Sequence, residues 1–204
     1  LFRSKSTFND DISDWDVSSV TSMYRMFNGA SSFNQDLNTW DVSNVTNMNR
    51  VFLYASNFNG DVSDWDVSNV TNMFYLFFGT DFIGDLSNWD VSNVGNMTGM
   101  FQSSPFNGDL SNWDVSNVST MAAMFESASS FNGDISGWDM SSVTNMQYML
   151  HSASSFNQDL SNWDVSGVTN MNVLFKNASS FNQDISNWNV SNVTSMAGMF
   201  DGSN

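Results

Sequence analysis

All eight tryptophans of this 204-residue chain recur at intervals of 24 or 25 residues, at positions 15, 40, 65, 89, 113, 138, 163 and 188. A unit that short cannot enclose a core of its own, so successive units have to stack and share one. Each unit opens on a phenylalanine (Phe8, Phe33, Phe58, Phe82, Phe106, Phe131, Phe156, Phe181) and runs approximately F-N-x-D-I/L-S-x-W-D-V-S-N-V-T-N-M-x-x-M-F-x-x-A-S-S. Eight units occupy residues 8–204 as one domain. Residues 1–7 read as the tail of a preceding unit, because Leu1-Phe2 matches Met26-Phe27. Neither end shows the polar cap of a finished array, which predicts a segment of a longer one with possible end-to-end self-association.

Within a unit the apolar spacing changes period. Ile12, Trp15 and Val17 predict a short strand, and Val20, Met23, Met26 and Phe27 predict one face of a helix of two or three turns. The expected fold is therefore an α/β repeat solenoid, leucine-rich-repeat-like, of eight coils, each with a short parallel strand plus a short helical segment. Parallel strands would add about 4.8 Å per coil. The tryptophan column and the methionine column through Met23 and Met48 take core positions, since stacked aromatics and adaptable thioethers fill such interiors.

Units such as the one beginning Phe156-Asn157-Gln158-Asp159-Leu160-Ser161-Asn162-Trp163-Asp164-Val165-Ser166 resemble the repeat of the BspA-like surface proteins and of mycoplasma surface lipoproteins. The resemblance covers essentially the whole chain, with departures at Ile83, Gly95, Leu150 and Asn189. It implies a leucine-rich-repeat ectodomain at an extracellular or cell-surface location, with a role in adhesion or protein binding.

Charge narrows the partners. With 21 acidic and 5 basic side chains the formal net charge is -16, which leaves no basic surface for nucleic acid or for anionic lipid. No run of about 18 apolar residues is present to insert in a membrane. Catalysis has little to work with: there is no cysteine, His151 is the only histidine, and the carboxylates recur in every unit, whereas a catalytic pair is singular. The chain is expected not to be an enzyme.

Of the 20 aspartates, 15 stand in two columns. The first, Asp11, Asp36, Asp61, Asp85, Asp109, Asp134, Asp159 and Asp184, suits a turn cap that accepts backbone N–H groups. The second, Asp16, Asp41, Asp66, Asp90, Asp114, Asp139 and Asp164, follows tryptophan and is expected on the concave face, where stacked carboxylates repel. Bound cations such as Ca²⁺, a basic partner, raised pKa values, or hydrogen bonds from neighbouring serines and asparagines could relieve that repulsion. These seven residues are the candidate metal ligands.

Candidate partner-binding residues are Asp66, Asp90 and Asp114 on that face. Tyr54, Phe74, Tyr75 and Phe78 join them, since they stand where other units carry small or polar residues. The leading functional expectation is a non-enzymatic surface domain that binds a protein or glycan partner through its acidic concave face. A structural spacer with cation-neutralised aspartate ladders is the alternative. Ice binding by the column through Thr21, Thr46 and Thr71 is a third reading, set against capping of the helical segment by the same residues. Asn-Val-Thr triplets at Asn44, Asn69 and Asn192 fit a glycosylation sequon but belong to the repeat itself.

Overall fold

In the computed structural model, which describes residues 1–203, each unit is a chain of tight turns rather than a strand followed by a helix. Two of these turns are set by aspartate. Asp11 Oδ1 accepts the Ser13 N–H at 2.9 Å and Asp16 Oδ1 accepts the Ser18 N–H at 3.0 Å. Such side-chain bonds to the residue two positions on start a turn. The turns 12–15 and 17–20 follow, closed by Trp15 N–H on the Ile12 carbonyl and Val20 N–H on the Val17 carbonyl. The same pair of turns recurs in all eight units. Ile12, Trp15 and Val17 therefore do not form the expected strand; their three-residue step is the reach of a turn.

The predicted helical segment is also absent. Residues 23–30 form consecutive turns in which Met26, Asn28 and Ala30 donate to the carbonyls three residues back. Met23, Arg25, Phe27 and Gly29 donate instead to Asn47, Asn49, Val51 and Leu53 of the next unit. Left-handed residues enforce this alternation, with Arg25 at φ +57° and Gly29 at φ +70°. Equivalent positions such as Tyr75, Ala123, Tyr148 and Val173 are also left-handed, and no right-handed helix tolerates that conformation every fourth residue. Side chains at 23, 27 and 30 are buried and 26 is half-buried, whereas Tyr24 is exposed. That inward set has the i, i+3, i+4, i+7 spacing of an amphipathic helix.

Strand content is confined to single parallel bridges that link one residue per unit, from Ser22↔Asn47 to Asn170↔Ser195. The coils do stack, but by turn-to-turn hydrogen bonds, and the α/β content of a leucine-rich-repeat solenoid is absent among the described residues. The concave strand face assigned to the second aspartate column is therefore absent too.

Side chains knit the stack. Seven indole N–H groups donate to a carbonyl of the preceding coil at 2.8–3.1 Å, from Trp40 on Ile12 to Trp188 on Leu160. Those indoles are buried, as the core reading of the column expects, whereas Trp15, in the first coil, is 44% exposed. Two phenylalanine columns lie beside them. Rings close in sequence where one unit passes into the next, such as Phe125 and Phe131, stack at 3.7 Å. Neighbours one coil apart run from 5.4 Å for Phe2–Phe27 to 6.2 Å for Phe82–Phe106, in near-parallel offset stacks.

The two 24-residue steps lose their residue between Phe77 and Phe82 and between Phe101 and Phe106. In full-length coils the second phenylalanine N–H bonds the carbonyl three residues back, as Phe33 does to Ala30. In the short coils buried Thr80 and Ser104 stand in: Phe82 N–H reaches Thr80 Oγ1 at 3.4 Å and Phe106 N–H reaches Ser104 Oγ at 3.3 Å. A hydroxyl thus replaces the missing backbone acceptor, which accounts for two polar side chains in an otherwise apolar core.

Candidate functional site

Most columns are tied to folding, which limits where function can reside. The second aspartate column is one of these. Asp16, Asp41 and Asp66 each take a Ser N–H and a Ser Oγ–H on Oδ1, the hydroxyl at 2.6 Å in every case. Asp90, Asp114, Asp139 and Asp164 take the Ser N–H at 3.0–3.1 Å. These hydrogen bonds, the serine hydroxyl first, hold Asp16, Asp41, Asp90, Asp114, Asp139 and Asp164 below the ordinary carboxylate value. Repulsion from Asp114 and Asp164 raises Asp139 only in small part. The direction is opposite to the raised pKa offered as one relief for the ladder. Among the described residues no group of three or more carboxylate or histidine side chains converges as a metal site, so the seven candidate ligands form a row of separate turns.

Other polar columns clamp neighbouring coils. Asn44, Asn69, Asn93, Asn117 and Asn192 donate Nδ2 to a serine carbonyl of the coil before. Thr46, Thr71, Thr144, Thr169 and Thr194 donate their hydroxyls to the preceding coil at 3.1–3.3 Å, so they cap no helix. In the column through Asn34, an amide oxygen accepts the N–H of the equivalent residue one coil on, as Asn34 Oδ1 does from Asn59.

The 24–29 turns present a face whose residues change in both charge and size from unit to unit. Down one column it reads Asn28, Leu53, Phe78, Gln102, Glu126, His151, Lys176 and Asp201. The only glutamate and the only histidine of the chain are neighbours in it. Gln102 Nε2 donates to Glu126 Oε2 at 2.8 Å, His151 Nδ1 lies 3.3 Å from Glu126 Oε1, and Lys176 Nζ is 3.9 Å from Asp201. His151 thus pairs with a carboxylate on a half-buried surface.

Over coils two to four this face becomes a depression of about 280 Å³, lined by Arg50, Leu53, Tyr54, Tyr75, Phe78 and Gln102. Tyr54 packs edge-on to Phe78 at 4.8 Å, and Tyr75 meets both Phe78 at 5.2 Å and Phe74 at 4.2 Å. The Arg50 guanidinium lies 4.4 Å above the Phe74 ring and 5.6 Å from that of Tyr75, and Nη1 donates to Asn49 Oδ1. Tyr54, Phe74, Tyr75 and Phe78 are therefore brought together. Asp66, Asp90 and Asp114 stay in their own turns and line no part of the depression. Arg50, Gln102 and Glu126 escaped the sequence reading. Reading down position 28, instead of along the chain, exposes the last two.

Among the described residues no helix is long and apolar enough to cross a membrane. No curated protein and no solved structure matches this chain. A family model does, over residues 1–83, 56–154 and 104–204, windows that overlap as tandem repeats require. That match supports the repeat and its mycoplasma connection, and it assigns neither a leucine-rich-repeat fold nor adhesion. On this match, spanning residues 1–204, the chain belongs to the family described as Mycoplasma protein of unknown function, DUF285.

Proposed function

We propose that this protein is a non-enzymatic repeat array, displayed outside the cell, that binds a protein or glycan partner through the variable face of the 24–29 turns. The observation that carries the reading is the depression over coils two to four. It is the place where side chains that no folding column demands, Arg50, Tyr54, Tyr75 and Phe78, are gathered on the surface. Tyrosine and arginine around an apolar centre are the residues that dominate binding energy at interfaces. The aspartate rows contribute a broad negative field, which steers basic partners toward the array and weakens as salt rises.

The test is binding of the intact chain to immobilised extracellular-matrix proteins and to a glycan array, beside a Tyr54→Ala/Phe78→Ala variant with an unchanged melt. Binding by the parent that falls about tenfold or more in the variant is expected, as for two interface anchors. No binding by the parent, or binding that the variant keeps in full, would overturn the reading.

The spacer reading draws support from the aspartate rows, whose Oδ1 atoms serve the turns while the rows still stack charge on charge. Calcium enters only there. A melt of metal-stripped protein that rises with millimolar Ca²⁺, beyond matched NaCl and Mg²⁺, would assign ions to the free carboxylate oxygens. A rise equal to the salt control would leave the rows as turn formers.

A further inference from the structure

We propose that the depression over coils two to four receives Ile83 of a second copy of this chain. This rests on the partner-binding function above and narrows its protein partner to the array itself.

The depression sets the terms. It offers about 280 Å³, with Leu53, Tyr54, Tyr75 and Phe78 as its apolar lining and Arg50 in its wall. The 24–29 turns of coils one to four hold Arg25 and Arg50 and no carboxylate, in a chain that carries 21 acidic side chains. Among the described residues the ion pairs are His151 with Glu126 and Lys176 with Asp201, so both arginines lack a carboxylate partner. They stack on rings instead, Arg25 over Tyr24 at 4.9 Å and Arg50 over Phe74 at 4.4 Å. An apolar side chain flanked by carboxylates fits such a face, since the side chain fills the lining while a carboxylate meets the guanidinium.

Coil four carries that combination in Asp81-Phe82-Ile83-Gly84-Asp85. Ile83 is 61% exposed, and Asp81 and Asp85 are exposed on either side of it. Both Ile83 and Asp81 depart from the repeat: the other units have asparagine at the first position and serine, threonine, asparagine or proline at the second. A lone exposed isoleucine is ordinary. This one, however, displaces an amide whose oxygen clamps the next coil, as Asn59 Oδ1 accepts the Ile83 N–H at 2.9 Å, so folding gives it no reason. Trp15 also lies between aspartates, but it belongs to the core column, whereas Ile83 belongs to none. The column beside Ile83 reads Gly60, Gly84, Gly108 and Gly133, against Gln35, Gln158 and Gln183 farther out. With no side chain from that column around it, Ile83 is free to enter a recess. Ile83 and the depression lie in different turns of the coil, so the contact joins unlike patches of two copies. One apolar knob with its flanking charges places it at the small, transient end of interfaces.

The experiment is sedimentation velocity on the intact chain in about 0.15 M NaCl, from about 10 μM to 1 mM protein. The parent is expected to shift toward dimers or longer assemblies as its concentration rises. Ile83→Asn and Tyr54→Ala/Phe78→Ala should each weaken that association by about tenfold or more. Because Ile83→Asn restores the amide column, its loss of association is expected with an undiminished melt. The two variants mixed in equal amounts should pair with each other, since one keeps the depression and the other keeps Ile83. The inference is overturned if the parent stays monomeric throughout, if either variant associates as the parent does, or if the mixture does not pair. End-to-end stacking would show itself as association that both variants keep. A monomeric parent that still binds matrix protein or glycan would remove the self-docking and leave the partner-binding function standing. A monomer that binds neither would remove both.

Discussion

Val173 is a β-branched residue held at φ +50°, a conformation that such side chains avoid. Its position corresponds to Gly99 and Gly198, which are left-handed at φ +60° in their own coils. Left-handed backbone costs an L-residue about 1–2 kcal/mol, and glycine removes that cost while losing about 0.4–1 kcal/mol through the freedom it adds to the unfolded chain. Val173 is only half-buried, so little packing is lost, and Val173→Gly should stabilise by up to about 1 kcal/mol. Val173→Asn should do at least as well, because asparagine visits this region readily and adds less unfolded-state entropy. For a chain of this size the rise in Tm is about 2–4 °C per kcal/mol. Val173→Leu is the discriminating control. In a helix leucine outranks valine, asparagine and glycine, in that order, with glycine last. In a left-handed turn leucine gains nothing and glycine and asparagine lead. Melts of the three variants beside the parent therefore give opposite rank orders, and a series with leucine most stable and glycine least would refute the turn architecture of the 24–29 face.

Three further outcomes follow from the stacking. Trp113→Phe removes the indole N–H that reaches the Leu86 carbonyl at 3.0 Å and leaves a partly filled void. A loss of about 2–3 kcal/mol in urea melts is expected, and a neutral result would show that the indole column does not clamp the coils. Ile83, 61% exposed, interrupts the amide column and offers no side-chain acceptor to Asn107. Ile83→Asn should add about 0.5–1.5 kcal/mol, and a lower midpoint than the parent would count against the ladder. The aspartate rows bear on acid stability: folded values lie below the unfolded value of about 3.9, so their contribution is complete above that value and fades as pH falls through the folded values. Asp114→Asn and Asp139→Asn should each flatten the fall of Tm below about pH 4; a steeper fall would contradict the serine-bonded carboxylates.

Much of this architecture can be read from the chain alone. The 24/25-residue recurrence dictates a stack, because no single unit buries enough to stand by itself. Phe33, Trp40 and Met48 announce the core, and Tyr54, Phe74, Tyr75 and Phe78 announce a surface cluster by departing from their columns. The nature of the coil is hidden. Residues 23, 26, 27 and 30 point inward in a series of turns as they would in a helix, so hydrophobic periodicity does not separate the two. Gly99 and Gly198, in the middle of the predicted helical segment, are the local sign against it.

The choice is made by the neighbours. Arg25 and Phe27 surrender the hydrogen bonds of a helix because Asn49 and Val51 of the next coil offer equivalent carbonyls at 3.0 and 2.9 Å. Those acceptors exist only in the stack. The same holds for the candidate site, since Arg50, Tyr75 and Gln102 come from three successive coils and share a wall only after stacking. Composition and period specify that copies pile up and which columns they bury, whereas the turn geometry and the company each variable residue keeps depend on bonds between copies, which no single unit encodes.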